Sequence, residues 1–318
     1  MKKYTTIFLT IAAGVMLVGC NKGNNVPSTE SITVNASVGS MTKVSYDGGK
    51  ATFEAGDNLS LFAWTGDKTV IPSAGDLVVN NVTNTLGQNG LWEPKQQMLW
   101  DDMTTPHYFM AVSPARTVAS FTADPYILDS SAEKYQQSDL LIAVNDAGLV
   151  ATDNPVNLIF EHAMATLNIN LKFHNQWTEG NPPSQTEITE ALIESIVVTA
   201  KDHATIDYIK KAVAPAGEVA SVAMNKVKNA SWTTLMVPQE GFRTITVALN
   251  GNDEWLGGNG TYVFTAPEDI PLESGKITTV NLLIGRDQIT LDKDGIQITD
   301  WVSLGDALDG EVSKPKQN

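Results

Sequence analysis

Histidine, cysteine and paired carboxylates are the side chains that could do chemistry here, and they are sparse. The four histidines, His107, His162, His174 and His203, all stand more than four residues apart. Cys20 is the single cysteine, so no closely spaced ligand set of zinc type exists. A histidine base for acyl transfer needs a nucleophile, and no Gly-x-Ser-x-Gly elbow presents one. His162, set among Phe160, Ala163 and Ala165, reads as a packing residue whose ring nitrogens bond backbone groups. Asp101-Asp102, Asp292 with Asp294, and Asp300 are carboxylates of the type used in glycoside hydrolysis, where the fold must set their separation. Asp292-Lys293-Asp294-Gly295 opens like a calcium loop but lacks the later oxygen ligands and the closing glutamate, so it reads as a hairpin turn. The Gly257 to Gly260 run follows no phosphate-loop pattern and also reads as a turn. No catalytic residue, metal or cofactor is expected. Of the seven tryptophans, Trp92, Trp100 and Trp301 read as core, whereas Trp64, Trp177, Trp232 and Trp255 are open to stacking on sugar rings.

Cys20 belongs to a different kind of signal. Lys2 and Lys3 precede a mainly apolar run from Ile7 to Val18. A membrane-spanning helix needs roughly 20 apolar residues, so this run reads as a signal h-region. It closes on Leu17-Val18-Gly19-Cys20, which resembles the bacterial lipoprotein box. Residues 1–19 are then a signal peptide, Cys20 is the lipidation site, and 20–30 form a polar tether. Each buried CH₂ of an acyl chain contributes about 0.8 kcal/mol, so two or three chains anchor a soluble domain. Loss of Lys2 and Lys3 takes the formal charge from −15 to −17. That balance offers no basic patch for phosphates and excludes nucleic acid as a partner.

The elements that must position any site are strands. Ile32, Val34 and Ala36 alternate with polar residues, as do Leu59, Leu61 and Ala63, then Leu167, Ile169 and Leu171, then Ile245, Val247 and Leu249. Period-2 runs separated by turn residues such as Gly56-Asp57 predict half-buried strands in an all-β, antiparallel architecture of sandwiches. The best helix signal is Thr186 to Leu192. A break is expected across Asn175 to Gln185, where Pro182-Pro183 sits in a run without apolar periodicity. It gives an N-terminal domain over 31–175 and a C-terminal domain over 186–318, with no evident repeat between them.

Several segments resemble the fimbrillin family, specifically its Mfa-like members in Bacteroides-type bacteria. They are Phe53-Glu54-Ala55-Gly56-Asp57 before an apolar strand, and Trp92 and Trp100 before Tyr108 through Pro114. Phe160-Glu161-His162, Gly275-Lys276 and Ile298-Thr299-Asp300-Trp301 follow in the same order as in the family, and the resemblance spans nearly all of 31–305. It implies two transthyretin-like β-sandwiches in a subunit exported as a lipoprotein to the outer membrane and cell surface. Its partners would be other pilin subunits and host or bacterial surface ligands. It implies assembly by donor-strand exchange, in which a protease cuts after the first strand and a neighbour's strand fills the groove. Ser31 to Gly39 is the removable strand on that reading, and the maturation site falls at Lys43. The family usually has arginine there; the first arginine in this chain is Arg116. Val302, Leu304, Ala307, Leu308 and Val312 alternate poorly as a donor, which fits a tip or accessory subunit better than a stalk. A second reading is a surface lipoprotein that binds glycans.

Overall fold

The computed structural model describes residues 31–39, 53–68, 72–174, 193–228, 230–249, 260–285 and 288–301. The chain is all-β. Its first part holds β1 (Val34–Val38), β2 (Asn58–Thr65), β3 (Leu77–Leu86), β4 (Trp92–Pro94), β5 (His107–Ser113) and β6 (Asp124–Ile127). A single helical turn, α1 (Tyr135–Ser138), precedes β7 (Leu141–Leu149), β8 (Val156–His162) and β9 (Ala165–Phe173). Then come β10 (Ile193–Asp207), β11 (Ala212–Ala223), β12 (Asn225–Lys228) and β13 (Ser231–Met236). The last four are β14 (Thr244–Leu249), β15 (Thr261–Thr265), β16 (Lys276–Ile284) and β17 (Ile289–Asp300).

Seven of these strands form one sheet in the order β1-β8-β7-β5-β2-β3-β4. The sheet is rolled, because its two ends meet. Ser31 forms an antiparallel bridge with Leu99, just past β4, and the Ile32 N–H donates to the Met98 carbonyl at 2.8 Å. Inside the roll lie Leu59, Leu61, Ala63, Phe109, Ala111, Val156, Leu158 and Phe160. The intervening side chains Phe62, Trp64, Met110 and Val112 are equally buried on the outer face. Burial on both faces explains why β2 and β5 are near-continuous apolar runs instead of clean alternations.

The outer face of the roll packs on the second unit, two five-stranded sheets. One runs β11-β10-β14-β15 with β6 added beside β10; the other runs β12-β13-β9-β16-β17. Between them Ile196, Val198, Ile245, Val247 and Phe264 meet Leu167, Ile169, Leu171, Val280 and Leu282. β9 pairs with β13 and β16, so it belongs with the later strands although it precedes the break expected after residue 175. The chain changes sheets at Ala163–Met164, between β8 and β9. The expected break at Asn175–Gln185 and the helix at Thr186–Leu192 lie outside the described residues.

β10 is shared between the units. Its first half pairs with β14 and its second half with β6. In the gap between them the Gln239 amide accepts from the Lys201 N–H and donates to the Lys201 carbonyl, both at 2.9 Å, in place of a ladder rung. Beside β6, the buried Asp124 carboxylate accepts from the Tyr208 hydroxyl at 2.7 Å and from the Ala119 N–H at 2.7 Å, with Arg116 at 3.4 Å. A buried charge so partnered avoids the penalty of an orphan. The expected hairpin turn at Asp292–Gly295 is a different feature. These residues bulge within β17, between the Leu282↔Leu291 and Val280↔Ile296 pairs, and Asp292 reaches Lys172 at 2.5 Å.

Candidate assembly strand and its groove

The histidines and carboxylates are dispersed by the fold. Among the described residues no group of three or more His, Cys, Asp or Glu is placed to hold a metal ion. His107 is buried; its Nε2 accepts from the Asp101 N–H at 3.0 Å and its Nδ1 donates to the Thr105 carbonyl at 2.9 Å. Asp102 caps the following turn; the Thr105 hydroxyl, together with the Thr105 and Thr104 N–H groups, holds its carboxyl below the ordinary carboxylate range. Asp101 and Asp102 are thus parts of a loop. Asp292 and Asp294 both address Lys172.

His162 corrects one expectation. Its Nδ1 donates to the Asp139 carboxylate at 2.9 Å instead of to the backbone. Its ring stacks on Trp301 with centroids 4.0 Å apart and an interplanar angle of 6°. Nε2 is buried and meets no hydrogen-bond partner, so no hydroxyl or thiol completes a relay from the carboxylate. The two motifs in which His162 and Trp301 stand, far apart in sequence, meet here as packing. The stack ties the end of β8 to the end of β17.

β8 has a second neighbour at its other edge, β1. The two run parallel over five register pairs, from Val34↔Val156 to Val38↔Phe160. β1 is the terminal strand of its sheet. Ile32 and Val34 are 2% and 6% exposed, and with half-buried Ala36 and Val38 they line the inside of the roll beside Leu158 and Phe160. Asn35 and Ser37 face outward and are exposed. The alternation read in the sequence is therefore the alternation of a strand that plugs a core. Lifting out residues 31–39 would remove the Ile32–Met98 bond that closes the roll and uncover an apolar groove along β8.

Of the residues singled out from the sequence, Cys20 and Lys43 lie outside the described residues, as do Trp177 and Trp255. Trp92, Trp100 and Trp301 are core, and Trp64 and Trp232 are buried as well, which leaves no exposed tryptophan platform among the described residues. An open cleft of about 620 Å³ lies between Asn58, Pro114, Arg116, Tyr126, Ile127 and Leu140. Its one cation, Arg116, stacks 4.7 Å over the Tyr126 ring and is paired with Asp124. What sequence reasoning missed were Asp139 as the partner of His162 and Met98 as the clasp of β1. Both are long-range contacts without a local signal.

A rolled sheet and a sandwich, stitched through one shared strand and closed by an edge-strand plug, define an all-β protein of two packed units. The chain belongs to the fimbrillin-like family, whose profile matches residues 42–301. No curated protein sequence matches it. Among solved structures, a candidate cell adhesion protein of Bacteroides uniformis aligns with a TM-score of 0.62 at 15% identity, covering 86% of this chain and 100% of that one. One from Bacteroides ovatus aligns at 0.63 and 14%, covering 86% and 98%. At these identities the likeness is one of fold.

Proposed function

We propose that the protein is a structural or adhesive pilus subunit, exported to the outer membrane as a lipoprotein acylated on Cys20. It assembles with other pilin subunits by donor-strand exchange, in a tip or accessory place, and its work is subunit contact rather than catalysis. The observation that carries this reading is β1: a five-residue edge strand whose side chains plug the core of the rolled sheet. A segment with that geometry is replaceable by another strand, because main-chain bonds supply affinity and alternate side chains supply register. Family membership and the cell-adhesion relatives point the same way. Lys43 is the maturation site on this reading, four residues past Gly39. On this reading the rolled sheet and the sandwich are the family's two domains, and the all-β order of sheets supports it. The poor alternation of residues 302–318 favours a subunit that accepts a strand over one that donates.

Mass spectrometry of filaments sheared from the cell surface tests this. The expected result is this chain with its N-terminus at Val44, and a Cys20→Ala form retained as an unprocessed precursor. Filaments that lack the chain, with the intact protein elsewhere, would remove the reading.

A further inference from the structure

We infer that the slot filled by β1 accepts one defined side-chain pattern, running parallel to β8, and that residues 302–318 of this chain are not its occupant. The inference rests on the strand-exchange reading above and adds what the slot selects. Four inward positions are set by the present plug. The first two take fully buried branched side chains, as Ile32 and Val34 are 2% and 6% exposed. The third is held by a single methyl, that of half-buried Ala36 opposite Leu158. The fourth takes a branched residue, Val38, opposite Phe160.

Two outward features fix the register. The Asn35 amide donates to the Asn157 side-chain oxygen at 3.1 Å, while the Asn157 carbonyl is held by Asn145 at 3.1 Å. At the far end the Gly39 N–H donates to the Phe160 carbonyl at 2.8 Å. A Cβ on Gly39 would lie 2.7 Å from Cγ2 of Ile159, so any larger residue must push that side chain aside. A one-residue slip would turn the whole apolar set outward. A two-residue slip would drive a branched side chain into the alanine slot and separate the amide pair. The accepted sequence is therefore branched, x, branched, Asn, Ala, x, branched, Gly.

Residues 302–318 of this chain do not meet it. Every frame within them places an Asp, Glu or Lys at one of the four inward positions. Burying an unpaired charge in an apolar slot is prohibitive. Residues 302–318 are thus excluded as the plug of a second copy, and the occupant is a strand that carries the pattern above.

The test uses the full mature chain with a specific protease site inserted within residues 40–52, cut after folding. Fluorescent peptides are then exchanged against the cut strand and followed by anisotropy, with circular dichroism as a check on folding. A peptide of residues 31–39 should enter. An Ala36→Asp version should bind about a hundredfold or more weakly, and the 302–318 peptide and the reversed sequence should not compete. In the uncut chain Ala36→Asp should lower the melting temperature while Ser37→Asp leaves it unchanged. Equal entry of the native, reversed and tail peptides would overturn the pattern and leave strand exchange standing. Ladders formed by the cut chain alone, and lost on deletion of residues 302–318, would overturn the exclusion of that segment. Failure of every peptide, the native one included, would remove strand exchange and this inference with it.

Discussion

Two edge strands of this molecule are held in opposite ways. β11 is twelve residues long and makes ten register pairs with β10, yet Val222 is its single buried side chain. β1 makes five pairs with β8 and buries the apolar side of a core. Ladder length and core coverage are therefore uncoupled. The outer edge of β11 is also guarded. Pro215 supplies no N–H, Gly217 sits at φ 71° next to the bulge in the ladder at Lys201/His203, and Glu218 adds a charge. Natural sheets use such devices against unwanted pairing. β1 carries neither proline nor charge. The edge of β11 is made awkward for a neighbouring strand, and the edge strand that covers the core is kept plain.

The largest test of that contrast is a pair of charges. Val34→Asp should cost about 4 kcal/mol or more, because it buries an unpaired carboxylate in the roll. Val219→Asp on β11, at a position 61% exposed, should stay within about 0.5 kcal/mol. Urea midpoints measure both, and comparable losses would erase the distinction between the edges. Next in size is the tie between β8 and β17. Trp301→Ala should cost about 3–5 kcal/mol as a large-to-small core change. His162→Ala should cost about 1–3 kcal/mol through the orphaned Asp139 and the lost stack. The double variant should fall short of the sum, and strict additivity would mean that the stack contributes nothing.

A smaller effect sharpens the guard on β11. Pro215→Val combined with Glu218→Val should change stability by roughly 0.5 kcal/mol or less, while shifting the protein toward dimers in light scattering. A variant that remains monomeric would show that these two residues do not protect the edge. The smallest effect is electrostatic. The hydrogen bond from Lys172 holds the Asp292 carboxyl below its ordinary value of 3.8. A carboxyl depressed in the folded state contributes stability above its unfolded value and loses it as pH falls through the folded one. Lys172→Met should therefore flatten the decline in stability below about pH 4, by an amount on the order of 0.5 kcal/mol for a partly exposed pair.

Much of this was readable from spacing alone. The alternation at Ile32–Ala36, Leu167–Leu171 and Ile245–Leu249 became β1, β9 and β14, because a half-buried strand must show a period of two. The Gly56-Asp57 turn formed as expected, with the Asp57 N–H bonded to the Glu54 carbonyl. Period, however, is silent on partnership. Nothing in the Ala165–Phe173 run says that it pairs with β13 and β16 instead of β8, and nothing in Asp124–Ile127 announces a strand added to a distant sheet. The segment Asp292–Gly295 carries turn chemistry, and a bulge asks for the same residues as a hairpin turn. His162 was identified as packing, but its carboxylate partner lies 23 residues upstream and is joined only by the fold.

The strand that β6 adds to β10 has a mechanical meaning. Two domains joined by an ordinary linker hinge freely, since motion between them is the default. Here a bend at the junction would have to break the four β6–β10 pairs and expose Asp124 together with Tyr208. The Tyr126 hydroxyl, pushed up to about 12 by burial and donating to the Ser138 carbonyl, sits in the same joint. A tensile load applied at one end of the molecule is thus passed through a hydrogen-bonded splice instead of a swivel. Such a splice favours one stiff link over two swivelling ones.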